Sequence, residues 1–322
     1  MSDATNPQSV TPQSATPAEA APTEAAPTGA GPVEAALTRP TPTAGTPPRS
    51  RTALAQHHRP RYRLTAFGVV RGEWIKTLGL RSTWWTLGVT VLVMVGFAAL
   101  IAFSVASAGV DVEISGGDPI LLSISAGLGF GQLAVAVLGA IIITGEFSTG
   151  SIRSTFAAVP RRTGVLLGKG VALSVLVALT GLVATGLSLG AGLAAFSGTG
   201  HHFDASDSTT LRVLLGTVLY LVTLALFSMG VGAILRNSTG SIFTLVAILF
   251  VLPTIAQIAG AFEATRWIGT AGEYLPATAG LQLLTEVTGP DALTPWQGYG
   301  VFAAWTVIAL LLGWVLTKKR DA

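Results

Sequence analysis

The chain has 322 residues, 50% of them hydrophobic and only 11% charged, with a mean hydropathy of +0.62. Soluble domains carry about a quarter charged residues, so this balance indicates an integral membrane protein. The net charge of +3 does not point to nucleic acid, because the basic residues cluster beside apolar spans rather than on a soluble face. With no cysteine, disulfides, iron–sulfur clusters and cysteine-ligated zinc are excluded.

Residues 1–59 are dominated by Ala, Pro and Thr, as in TPAEAAPTEAAPTGAGP. So few large apolar side chains cannot offset the entropy of ordering, and the stretch reads as a disordered cytoplasmic tail. It lacks the basic region and apolar core of a signal peptide. A solvated extension is the preferred reading over a docking tail. Over residues 60–83, Phe67, Val70, Trp74 and Leu78 recur at helical spacing, with Arg71, Glu73, Lys76 and Arg81 between or beside them. That pattern predicts an amphipathic helix lying in the membrane interface, with Gly68, Gly72 and Gly79 limiting its regularity.

Residues 84–322 form the transmembrane domain. About 20 apolar residues cross a bilayer core as a helix. Six stretches qualify: residues 84–108, 120–144, 165–196, 211–235, 240–261 and 299–317. The third is long enough to tilt or project, and Pro253 should kink the fifth by removing a backbone donor. The expected fold is all-α and polytopic.

The basic residues set the orientation. Arg59, Arg61, Arg63, Arg71, Lys76 and Arg81 precede the first span; Arg153, Arg161, Arg162 and Lys169 surround the second-to-third connection. Arg236 follows the fourth span, and Lys318-Lys319-Arg320 the sixth. The remaining connections are mainly acidic. All basic connections therefore share one side, which predicts a multi-pass plasma-membrane protein with both termini cytoplasmic. The outer connection over residues 262–297 is too apolar for a simple loop. Trp267, Tyr274, Leu275, Leu281, Leu283, Leu284 and Trp296 predict short helices at or dipping into the outer interface, either as interfacial anchors or as a cap over an outward exit.

Ionisable residues are almost absent within the spans, unlike ion-coupled carriers, which keep such groups at membrane depth. Energy is therefore expected from outside the spans. GVLLGKG, Gly164–Gly170, fails as a phosphate-binding loop: Thr163 and Gly170 stand where Gly and Ser or Thr are required. No ATP binding by this chain and no cofactor are expected. His57-His58 and His201-His202 read as solvated pairs rather than metal ligands, and the Asn237-Ser238-Thr239 sequon falls in a cytoplasmic turn. No catalytic constellation appears, so an integral membrane enzyme is disfavoured. Gly186 and Gly190 are spaced as GxxxG, and Gly127, Gly129 and Gly131 crowd the second span; packing within one subunit is preferred to packing between two.

The most distinctive segment is Gly145–Arg162, GEFSTGSIRSTFAAVPRR, polar and basic between two apolar runs. As a helix it would carry Glu146, Gly150 and Arg153 on one face and Ile152, Phe156 and Val159 on another. Pro160 would end it, leaving Arg161 and Arg162 at the bilayer surface. A turn with positive anchors accounts for the two arginines only. A charged face beside an apolar one is what docking onto a soluble partner requires.

Here the sequence resembles the permease subunit of type-two ABC transporters, the exporter class with six spans per subunit. The likeness covers residues 64–322 and rests on EWIKTLGLRSTWW, TGEFSTGSIRSTFAAVPRR, RNSTGSIFTLVAILFVLP, EYLPATAGLQLL and the terminal KKRDA, the second being the most specific. It implies that the segment after the second span is a cytoplasmic coupling helix seated on a separate ATP-binding cassette ATPase subunit. Gly145, Glu146, Gly150, Arg153, Phe156, Pro160, Arg161 and Arg162 would form that segment, with Glu146, Gly150 and Arg153 orienting the helix. It further implies a non-catalytic subunit paired with a second permease as homodimer or heterodimer, exporting a substrate that the residues leave open, a hydrophobic or amphipathic one fitting the apolar spans. The long N-terminal tail departs from the family pattern. A polytopic scaffold or sensor without transport is the competing reading.

Overall fold

The computed structural model describes residues 65–108, 117–151, 162–285 and 292–320. Among these residues 87% are helical and none lies in a strand, and six helices are long and apolar enough to cross a membrane. The protein is all-α and polytopic. In chain order the helices are α1 (Ala66–Gly79), α2 (Arg81–Ala108), α3 (Pro119–Ser148), α4 (Arg162–Ala195), α5 (Ser208–Leu235), α6 (Ser238–Gly260), α7 (Arg266–Gly272), α8 (Pro276–Leu281) and α9 (Pro295–Arg320). The spans are α2, α3, α4, α5, α6 and α9. The tail expected over residues 1–59 lies outside the described residues.

Local chemistry fixes several helix starts. Asp118 accepts from the amides of Ile120 and Leu121, with Pro119 opening α3. Asp207 accepts from Thr209 and Thr210 at the start of α5. Asn237, the sequon residue, caps α6 by accepting from the Gly240 amide. Each satisfies donors that a helix N-terminus otherwise leaves orphaned. In α6, Pro253 cannot donate to the turn before it. The ladder shifts there: Ala247–Val251 forms a π turn, and the Leu252 amide reaches back five residues to the Ala247 carbonyl. The break expected at this proline thus takes the form of a π-bulge.

Helices α3 and α5 make the centre, with 61% and 72% of their most apolar stretches buried, against 22% for α2, 17% for α6 and 22% for α9. Small residues let the central pair touch. A Cβ on Gly139 would sit 2.4 Å from the Ala225 carbonyl oxygen, and one on Gly232 3.0 Å from that of Ala140. Gly127 brings α3 equally close to Met94 on α2, with 2.3 Å left to its carbonyl oxygen. The expectation that Gly186 and Gly190 also pack within the subunit is not met. Nothing lies within 4 Å of a Cβ built on either, because that side of α4 turns away from the bundle.

Helix α1 forms where expected, yet it meets the bundle with an unexpected face. Its fully buried residues are Glu73 and Thr77, while Phe67 is 76% exposed. The approach is made at Gly168 on α4, where a Cβ would lie 3.2 Å from Val69 and 3.5 Å from the Val70 backbone. The Trp84 indole donates to the Leu78 carbonyl at 2.9 Å and closes the corner between α1 and α2.

At the far end, α7 and α8 are short helices in the connection between α6 and α9, as expected. Trp267, Tyr274 and Trp296 are exposed, as interfacial anchors would be, whereas Leu283 and Leu284 are buried. Helix α8 packs into the bundle beside α5 and α9. Its Gly280 lies against Tyr220 and Phe302, which a Cβ would approach to 2.8 and 2.6 Å. Tyr220 is twelve residues into α5, about 18 Å along its axis. Two ties hold this connection down: Arg212 donates to the Leu283 and Thr285 carbonyls at 2.9 and 3.0 Å, and the Trp305 indole donates to the Tyr274 carbonyl at 3.0 Å. Buried beside α8, the Tyr220 hydroxyl donates to Gln132 on α3, whose amide donates to the Gly129 carbonyl.

A buried charge cluster as candidate functional site

In a chain with so few charges, four of them meet at one place. Glu73 and Lys76 lie one turn apart on α1, Glu146 in the last turn of α3, and Lys169 two turns into α4. The Lys169 ammonium bridges the two acids, 2.6 Å from Glu73 Oε2 and 2.9 Å from Glu146 Oε1. Lys76 pairs with the same Glu146 oxygen from the rim. The Lys169 side chain is 2% exposed, against 38% for Lys76. Two carboxylates and two ammoniums balance, so the group is neutral as a whole and no single charge is left bare. The second Glu146 oxygen has no protein partner among the described residues.

The backbone around Glu146 explains its aim. Helix α3 ends at Ser148, and Gly150 turns left-handed at φ 69°, with its amide bonded to the Phe147 carbonyl at 3.3 Å. A glycine suits this reversal because it carries no Cβ penalty there. The continuous helix that would have aligned Glu146, Gly150 and Arg153 on one face is therefore interrupted at Gly150. Nor is Glu146 offered outward: its carboxylate is turned into the cluster and 7% exposed. Gly145 sits in the last turns of α3, its carbonyl taking the hydroxyls of Ser148 and Thr149 at 3.0 and 2.9 Å. Arg153, Phe156, Pro160 and Arg161 lie outside the described residues. Arg162 opens α4, its side chain likewise outside them.

Around the cluster the same end of the bundle is tied together. Arg236 ends α5 in a left-handed conformation, φ 55°, with its guanidinium 4.8 Å from the centre of the Phe147 ring and donating to the Leu316 carbonyl at 3.1 Å. Ser238 at the start of α6 donates to Thr144 on α3 at 2.8 Å. These contacts join the C-terminal ends of α3, α5 and α9 to the N-terminal end of α6, and Lys169 adds the start of α4. At the opposite end, His201 meets Asp118 at 3.1 Å. Nearby, the Ser206 hydroxyl and amide hold the exposed Asp204 carboxyl below its ordinary range. Among the described residues no three His, Asp or Glu gather as a metal site would require.

Reading the sequence singled out Glu146 but missed Glu73, Lys76 and Lys169 as its partners. The available signal was Lys169 itself, an ammonium inside an apolar run, which demands a partner wherever it is buried. Protein-family models and curated proteins gave no match to this chain. Fold and cluster together define a polytopic α-helical membrane protein with four of its sparse charges gathered at one end of the bundle.

Proposed function

We propose that this chain is the membrane-spanning permease subunit of a type-two ABC exporter, driven by ATP hydrolysis in a separate ATPase chain. The observation that carries the reading is the cluster's position. It locks α1 to the end of α3 and the start of α4, the two helices that flank residues 152–161. A push delivered to that short connection reaches three helices at once instead of being lost in a flexible loop. Buried ion pairs suit such a rigid junction, since breaking one leaves an uncompensated charge.

Charge distribution supports the orientation. Of the described Lys and Arg residues, Arg71, Lys76, Arg81, Lys169, Arg236, Lys318 and Lys319 lie at the cluster end, against Arg212 and Arg266 at the other, where Asp118, Asp204, Asp207, Glu263 and Glu273 also lie. By the positive-inside rule the cluster end, with both termini, is cytoplasmic, and the membrane is the plasma membrane. The working unit is a dimer of two permeases with two ATPase subunits, the chain itself performing no catalysis.

The test is purification of the full chain in mild detergent, with ATP turnover measured on the recovered complex. An ATP-binding subunit should co-purify. Arg153→Glu should weaken that association by about tenfold or more, equivalent to 1.4 kcal/mol. Glu146→Gln should keep the association and lose substrate-stimulated ATP turnover. Recovery of no ATP-binding subunit would overturn the reading in favour of a scaffold or sensor.

A further inference from the structure

Between the outer half of α6 and the short helix α7 lies a cavity of about 400 Å³, within the range of small-ligand sites. The two helices approach closely beside it: a Cβ on Gly260 would come 2.8 Å from the Gly269 backbone, and one on Gly272 2.5 Å from the Ala256 methyl. Its polar lining is Gln257, Arg266, Thr270, Glu273 and Thr278.

Two features mark this lining as built for a ligand. Arg266 and Glu273 share the cavity, yet among the described residues neither side chain has an ion-pair or hydrogen-bond partner, and they do not pair with each other. Their placement also opposes the helix they sit on. Arg266 is the first residue of α7 and Glu273 caps its C-terminal end, the reverse of what the helix dipole favours. Arg266 is exposed and Glu273 partly so, which leaves both charges, seven residues apart on one small helix, open to a ligand entering the cavity. In addition, the Thr278 hydroxyl is buried with no hydrogen-bond partner.

The geometry points to a binding site for a zwitterionic headgroup, one carrying an anionic phosphate or carboxylate and an ammonium. The Arg266 guanidinium takes the anionic oxygens, for which its planar fork is suited. Glu273 takes the ammonium, while Gln257, Thr270 and the Thr278 hydroxyl supply hydrogen bonds. The cavity holds a headgroup but no chain. The adjoining surface of α6, with Ile255 and Ile258 more than half exposed, gives an acyl tail an apolar path. Exposed Trp267 and Phe262 border the site and set it at the level where lipid headgroups lie. This inference does not rest on the transport reading.

The same chemistry could arrive as a lipid headgroup or as a free zwitterion in water, and one experiment separates them. The full chain is purified in detergent with equal amounts of phosphatidylethanolamine and phosphatidylglycerol of matched acyl chains, and retained lipid is read by native mass spectrometry. The wild type should retain phosphatidylethanolamine about tenfold over phosphatidylglycerol. Glu273→Gln should abolish the preference while leaving phosphatidylglycerol retention unchanged, and Arg266→Gln should lower retention of both. Neither residue belongs to the core, and an unchanged melting temperature verifies that each variant is folded. Displacement of the retained lipid by millimolar glycerophosphoethanolamine assigns the site to the headgroup alone; persistence of the lipid assigns it to a bilayer lipid. Equal retention of both lipids by the wild type, or variants indistinguishable from it, would overturn the inference.

Discussion

Lys169 is the residue on which the cluster turns. It is nearly fully buried and holds two carboxylates that would otherwise repel. Removing one partner of a buried pair costs about 3–5 kcal/mol, mostly through the charge left behind. Lys169→Met should therefore lower thermal stability in detergent by an amount of that order. Combining it with Glu73→Gln should restore part of the loss, since one orphaned carboxylate is then neutral. Additive losses in a double-mutant cycle would show that the two side chains do not interact. Glu146 was legible in the sequence as an oddity, a carboxylate at the mouth of an apolar run. Its inward aim was not legible, because its partners lie 70 and 23 residues away and helical spacing carries no information about them. Gly150 was ambiguous for a different reason: glycine is tolerated in a helix at some cost and is preferred where one stops, so spacing alone could not choose.

At the level of elements, glycines that look alike in sequence do opposite things. Gly139 and Gly232 sit where α3 and α5 touch, whereas Gly186 and Gly190 face away from the bundle. Overpacking a tight contact costs typically about 1–3 kcal/mol, while surface positions free of such contacts stay within about 0.5 kcal/mol. Gly139→Ala should accordingly destabilise the protein by the larger amount and Gly186→Ala should leave it near wild type, as read by melting in detergent. The six spans were legible because length and apolarity alone mark them, and the observed helices contain or nearly match the expected ones. Rotation of each span about its own axis was not legible. It depends on which stripe finds a neighbour, and in hydrocarbon nearly every stripe is apolar. The same limit explains α1. Its Phe67, Val70, Trp74 and Leu78 stripe drew attention, but the face with Glu73 and Thr77 is the buried one, since Glu73 and the neighbouring Lys76 have charged partners on α4 and α3.

For the whole molecule, the division of charge gives a clean test of sidedness. The chain contains no cysteine, so single cysteines can be introduced without background. A membrane-impermeant maleimide applied to intact cells should label Ser206→Cys and should label Lys319→Cys only after permeabilisation. The reverse pattern would invert the proposed orientation.

The charge cluster also sets an order of events during synthesis. Glu73 and Lys76 leave the ribosome long before their partners, for Glu146 follows Lys76 by 70 residues, and Lys169 follows Glu73 by 96 and lies just inside the third span. Until that span has been delivered, α1 has no counter-charge from Lys169 for its Glu73 face to meet. It must wait at the water boundary while two hydrophobic segments pass into the bilayer. Its docking is therefore a late closing step, made by chain that arrives afterwards, and nascent chains cut short before Lys169 should leave α1 open to protease.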